Sequence, residues 1–159
     1  MKIATLSETS RDIQKMQANR VRQIFATTSF QFSIVHLQNV YALFRSAVAS
    51  VEDIKGIRWT LTYWRLHSSI TNKSAAHEDA SDDVCMDRAA KRFIEKVDDS
   101  SKNAGLFNRY KYINYSAGYQ DPISGYGDEM KSSLQAVRKK YDPEGVFQTV
   151  VPGGFKISR

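Results

Sequence analysis

Around residue 56 the hydrophobic period of this chain changes, and that change restricts the fold more than any other feature. Leu37, Val40, Tyr41, Phe44, Val48 and Val51 follow one another at steps of 3, 1, 3, 4 and 3, which is one stripe of an amphipathic helix. Gly56 reads as a left-handed cap on that helix. From Ile57 to Leu66 the period drops to two. Ile57, Trp59, Leu61 and Tyr63 share one face, and Arg58, Thr60, Thr62 and Trp64 the other. A one-sided helix joined to a one-sided strand hides both apolar faces by packing them together. The expected class is therefore α+β, with an antiparallel or mixed sheet and helices packed on one face.

The remaining segments are read in the same terms. Ser7 to Phe25 is expected as a weak helix capped by Thr9 or Ser10, with Ile13, Met16, Val21 and Ile24 near one face. Phe30 to Val35 reads as a strand or as the approach to the next helix. A second amphipathic helix carries Val84, Ala89, Ala90, Phe93, Ile94 and Val97, with Ser81 as N-cap and Asn103-Ala-Gly105 as its end. A third carries Met130, Leu134, Val137 and Tyr141, stops at Asp142-Pro143, and is expected to cover Val146-Phe147. From Thr71 to Asp83 the only apolar residues are alanines, so no strand is read there. The sheet is expected to lack a strand between Ala76 and Glu78, leaving an unpaired edge that favours marginal stability or self-association. Residues 1–29 then form an N-terminal extension and residues 30–159 one domain.

Composition narrows the function classes. The net charge of +6 is uneven along the chain, with residues 77–100 net acidic, but the basic residues are dispersed and Arg138-Lys-Lys140 is their only cluster, which argues against nucleic acid as the partner. No apolar run has the length of a secretion signal or a membrane span. The single cysteine, Cys85, excludes an internal disulfide and reads as a structural thiol. His36, His67 and His77 lack metal-ligand spacing and read as surface or boundary residues. Asp82-Asp83 and Asp98-Asp99 read as helix-end charges. Phosphate-loop, dinucleotide and Gly-x-Ser-x-Gly motifs are all absent.

What remains is tyrosine. Tyr110-Lys-Tyr-Ile-Asn-Tyr115 has high β-propensity and reads as a strand, stopped by the loop Gln120-Asp-Pro-Ile-Ser-Gly-Tyr126-Gly127. Phenols placed there can stack on a flat ligand, donate hydrogen bonds, or ionise.

Tyr112-Ile-Asn114-Tyr115, Gln120-Asp-Pro-Ile, Tyr126-Gly127 and Lys140-Tyr-Asp-Pro-Glu-Gly-Val-Phe-Gln148 resemble the C-terminal signature of berberine-bridge-enzyme-like FAD-linked oxidoreductases. The closest resemblance is to the fungal branch, whose chains end much like Val151-Pro-Gly-Gly-Phe-Lys156. It runs from roughly Arg22 to the C-terminus and is strong from Asn108 onward. The resemblance implies an incomplete substrate domain of the vanillyl-alcohol-oxidase-type flavoprotein fold, with FAD as cofactor and a small-molecule alcohol as substrate. It also implies roles: Asn114 hydrogen-bonds the isoalloxazine region, Tyr115 accepts a substrate hydroxyl proton, and Tyr112 supports the site from the same strand. Many relatives carry an acidic residue two places after the Asn-Tyr pair. Here Ser116-Ala117 follow, pointing to a different substrate side. The flavin-anchoring domain of that family has no counterpart in the chain, so its expected partner is an FAD-binding domain and its expected activity alone is nil. The alternative is a non-catalytic interaction protein derived from such a domain.

Overall fold

The computed structural model describes residues 22–65, 69–77 and 79–157, with 64, 65 and 69–77 described by their backbone alone. The architecture is α+β. In chain order the elements are β1 (Arg22–Phe30), α1 (Ile34–Ala49), β2 (Arg58–Arg65), β3 (Ser69–His77), α2 (Asp83–Asn103), β4 (Phe107–Asn108), α3 (Pro122–Gly125), α4 (Asp128–Tyr141) and α5 (Val146–Thr149). The strands form one sheet in the order β2-β3-β1-β4, and each pairing is antiparallel.

Two sequence expectations fail at the centre of this sheet. The strand thought to be missing is β3, which lies between β1 and β2. Its register runs Arg22↔His77 to Phe30↔Ser69 on one side and Arg58↔Ala76 to Arg65↔Ser69 on the other. Its sequence, Ser-Ile-Thr-Asn-Lys-Ser-Ala-Ala-His, lacks strand periodicity. A central strand is held by two backbone ladders, which need no particular side chains. The other failure is the expected helix over Ser7–Phe25. Its last four residues, Arg22–Phe25, are strand, and the rest lies outside the described residues.

Helices α1 and α2 pack on one face of the sheet, as the change of period implied. Phe30 of β1, Val40 of α1 and Phe93 and Val97 of α2 form a buried cluster, with Leu37, Leu43, Phe44, Trp59 and Leu61 packed against it. Along β1 the even positions serve this side. Ile24 packs against the Val51–Met86 cluster, Ala26 meets Ile94, and Thr28 Oγ1 donates to Asp98 of α2. Arg22 pairs with Asp83 at the start of α2. Fully burying side chains of this size stabilises by about 1.5–3 kcal/mol each.

Local signals explain the helix ends. Ser33 Oγ accepts the His36 N–H and starts α1. The helix stops at Ala49, where the Ser50 hydroxyl donates to the Ala47 carbonyl at 2.7 Å. Gly56, with φ of 74°, therefore serves the turn into β2 and does not cap the helix. Before α2, Asp79 caps a 3₁₀ turn over Ala80–Asp82, its carboxylate accepting the Ser81 N–H at 2.8 Å, and the N-cap of α2 is Asp82 in place of the expected Ser81.

His36 is buried, contrary to the surface position expected for it. Its ring meets Phe30 edge-on at 4.7 Å, and its Nε2 lies 2.9 Å from Ser101 Oγ. The Ser101 hydroxyl already donates to the Val97 carbonyl. Nε2 must therefore carry the proton and donate to Ser101, and burial lowers the pKa of the ring. His77 contributes backbone to β3, and His67 lies outside the described residues. Cys85 is exposed on α2, so it does not pack as a core thiol.

The third amphipathic helix forms where expected, but it is turned the other way. None of α4 is fully buried. Met130, Val137 and Tyr141 are exposed by 52%, 54% and 72%, whereas Lys131, Gln135 and Arg138 are half-buried. Val146 and Phe147 are exposed as well and do not lie beneath α4. Helix α5 is held instead by polar contacts. The buried Asp142 carboxylate accepts the Val146 and Phe147 N–H groups at 2.7 and 3.1 Å. The Lys156 ammonium donates to the Phe147 and Val151 carbonyls at 2.9 and 2.8 Å, folding the Pro-Gly-Gly tail back.

Candidate functional site

The expected tyrosine strand exists only at its approach. β4 is Phe107–Asn108, paired with Ser29 and Phe30 of β1. The ladder then stops, because Asn108 Oδ1 accepts the Tyr110 N–H at 2.9 Å and turns the chain locally. Residues 109–112 are irregular, and Ile113–Tyr115 is a single 3₁₀ turn, closed by Tyr115 N–H to Tyr112 O at 3.0 Å. The extended backbone expected for Tyr110–Tyr115 is thus corrected to a loop and a turn. Strand propensity lost here to a side chain that captured the next amide.

Three anchors hold this loop against the sheet, α2 and α3. Lys111 turns inward, its ammonium 3.3 Å from Asp98, with both side chains at most 17% exposed. Asp98 is therefore a mid-helix anchor and not a helix-end charge. The second anchor is glycine. A Cβ on Gly125 would lie 2.7 Å from the Arg109 carbonyl oxygen, and one on Gly127 would lie 2.6 Å from the Arg109 guanidinium. The Gly-Tyr-Gly motif lets α3 and its following turn lie directly on the backbone of residues 109–111.

A third anchor, Gln120, was read in the sequence as part of a strand stop and of the family-like signature, with no structural role of its own. Its buried carboxamide accepts the Thr27 N–H at 3.1 Å and donates to the Thr27 carbonyl at 2.7 Å. It also accepts the Ala117 N–H at 2.9 Å. One side chain thereby occupies the place of a paired strand residue on β1, beyond the end of β4. A glutamine before Asp-Pro carries no signal for that role. Only the approach of residue 120 to residue 27 creates it.

These anchors place the candidate residues. By strand alternation Phe25 projects to the face opposite α2, and the Tyr115 ring packs on it at 5.4 Å with the planes at 44°. Tyr112 and Tyr115 meet at 5.4 Å and 51°. The exposed Asn114 carboxamide donates to the Tyr112 hydroxyl at 2.9 Å. Tyr112, Asn114 and Tyr115 are therefore brought into one cluster, away from the helix layer. Tyr110 and Tyr126 pair with each other at 5.8 Å, and burial, then the nearby Tyr110 and Tyr112, raise the Tyr126 pKa. Tyr119 is turned toward α2, where burial and then Glu95, Asp87 and Asp98 raise its pKa, so it stays neutral. Lys91 lies over its ring at 5.8 Å.

A cleft of about 260 Å³ opens beside the loop, lined by Gly118, Gln120, Asp121, Lys131, Phe155 and Lys156. None of the three candidate residues lines it. Among the described residues no group of three or more His, Cys, Asp or Glu could hold a metal, and no helix is long and apolar enough to cross a membrane.

About half of the chain is similar to segments of known proteins. The chain is 44% identical over 82 residues to the FAD-dependent monooxygenase drtC of Aspergillus calidoustus, covering 52% of this chain and 16% of that protein. It is 42% identical over 82 residues to the FAD-dependent monooxygenase sdcF of Emericella nidulans, covering 52% of this chain and 17% of that one. A weaker likeness, 24% over 178 residues, spans 98% of the chain and 15% of the oligopeptidase PhomG' of Diaporthe leptostromiformis. No family model and no solved structure matches the chain. The flavoenzymes have the higher identity, over about half of this chain, and the matched segment spans about 16% of their length.

Proposed function

We propose that this chain is the C-terminal, substrate-side portion of an FAD-dependent oxidoreductase that oxidises an alcohol or related small molecule, and that it is inactive alone. The observation that carries the reading is the clustering of Tyr112, Asn114 and Tyr115 on the sheet side away from the helices, in a chain similar to flavoenzymes. The relatives are named monooxygenases. Alcohol oxidation comes from the resemblance at Asn114 and Tyr115 to berberine-bridge-like enzymes, with a vanillyl-alcohol-oxidase-type substrate domain as the parent fold.

The residues present suit one part of FAD. An exposed carboxamide flanked by two phenol rings fits the polar edge of a flat heteroaromatic ring. The Asn114 amide uses one donor on Tyr112, leaving a second N–H and its carbonyl for a ligand. When bound, the flavin supplies a two-electron acceptor for the hydride of a carbinol C–H bond. The chain's own task is the proton. Tyr115 takes it from the substrate hydroxyl while Tyr112 and Phe25 hold the phenol in place.

The test grafts this chain into the Aspergillus calidoustus monooxygenase in place of its matching segment. The graft is expected to hold FAD and oxidise an alcohol, while the isolated chain is colourless. Tyr115→Phe should keep flavin and fold and lose about 10²–10⁴ of the rate, the size of a general base. Asn114→Ala should shift the flavin spectrum or weaken its retention. Full activity of Tyr115→Phe from pH 6 to 10 would remove Tyr115 from the mechanism.

A further inference from the structure

The orientation of α4 is at odds with its sequence. Met130, Leu134, Val137 and Tyr141 are spaced 4, 3 and 4 apart and form one stripe, the pattern that ordinarily faces a core. Three of the four are more than half exposed. Leu134 is half-buried, and the rest of the side turned to the body is polar. Lys131 donates to Ser124 Oγ at 3.1 Å, and Arg138 lies against Gly145, its Nε buried without a partner. Asp142 at the helix end is buried and caps α5. These contacts fix the rotation of α4, so the helix cannot roll its stripe inward without breaking them. Phe147 and Val150, exposed by 63% and 72%, extend the apolar exposure onto α5.

We infer that the Met130–Val137–Tyr141 face of α4 is a docking surface for the FAD-binding portion of a flavoenzyme polypeptide, which makes α4 a middle layer between two bodies. The inference rests on the function proposed above and adds where the two parts meet. Three observations favour that occupant. The 82 matched residues are 16% of the length of the FAD-dependent monooxygenase of Aspergillus calidoustus, so in that protein the matching segment has a large remainder to pack against. Met, Val and Tyr on an exposed stripe suit the core of a protein interface, where aromatic residues and Met are enriched and charges depleted. The polar side of α4 is already engaged within the chain, so an apolar partner has only the outer side to bind.

Thiol footprinting tests this at residue level. In a Cys85→Ser background, Val137→Cys or Met130→Cys places a single thiol on the face, and Val35→Cys places one on exposed α1 as reference. Each is labelled with a maleimide in the isolated chain and in the graft. The expected result is labelling of the α4 thiols about tenfold or more slower in the graft, with the α1 thiol unchanged, since access governs thiol reaction. Equal labelling in a graft that carries FAD would overturn the docking surface and leave the flavoenzyme reading standing. Slow labelling in the isolated chain, with a dimer mass, would assign the face to a second copy and overturn the inference. A graft without FAD and with α4 equally reactive in both forms would end both.

Discussion

Helices α2 and α4 announce themselves in the sequence with the same signal and end in opposite environments. α2 buries Met86, Ala90, Phe93, Ile94 and Val97 against β1 and α1. α4 leaves Met130, Val137 and Tyr141 of its stripe exposed, half-buries Leu134, and meets the body through Lys131 and Arg138. Periodicity states that a helix has an apolar side. It does not state that the partner for that side lies within the same chain. The difference separates a part of the molecule that completes its own core from a part that leaves most of an apolar stripe exposed.

The largest effect expected from that contrast is in the self-sufficient layer. Phe93 is 1% exposed and its ring meets both Phe44 and Trp59. Phe93→Ala should lower unfolding free energy by about 3–5 kcal/mol, read by urea denaturation with an unchanged slope. An effect below ~1 kcal/mol would mean that this layer is as loosely packed as the C-terminal one.

Next is the seam between the two regions. Gln120→Ala strips the Thr27 and Ala117 backbone groups of their partner and should cost about 1–3 kcal/mol. Amide exchange at Thr27 and Ala117 should accelerate before the rest of β1 opens. If exchange at those amides is unchanged, Gln120 does not carry the loop.

A pH titration sharpens the comparison further. Burial lowers the His36 pKa below its unfolded value, so the unfolded chain binds the extra proton first. The stability from neutral His36 is complete above pH ~6.5 and falls as pH drops below it toward the lower folded value. The melting temperature should decline through that window, and His36→Leu should flatten the decline. A decline of the same size in the variant would assign it to other groups.

The smallest effect is predicted on α4. Val137→Asp should change the stability of the isolated chain by no more than about 0.5 kcal/mol, because the site is already in water. A loss of several kcal/mol would show that the stripe is packed in solution and would erase the contrast with α2.

Much of the fold was legible in local pattern. The periods at 37–51 and 57–66 fixed the helix layer and the one-sided strand, and Gly105 ended α2 as read, with φ of 67°. The motif singled out Tyr112, Asn114 and Tyr115, and the structure brings these three side chains together. Their backbone was not, because Asn108 takes the Tyr110 amide from the ladder. β3 was invisible for the complementary reason: a central strand is held by its neighbours' backbones, and its own residues carry no period.

By itself, the sequence determined which segments are one-sided and at what period, because that depends on side chains a few residues apart. Only the tertiary structure decided which sides meet. The burial of His36, the ladder place filled by Gln120, the inward turn of Lys111 to Asp98 and the outward stripe of α4 all depend on groups distant in sequence. A local pattern fixes a residue's preference for water or oil, but which preferences are met is set by the packing of the whole chain and, for α4, by whatever packs against it.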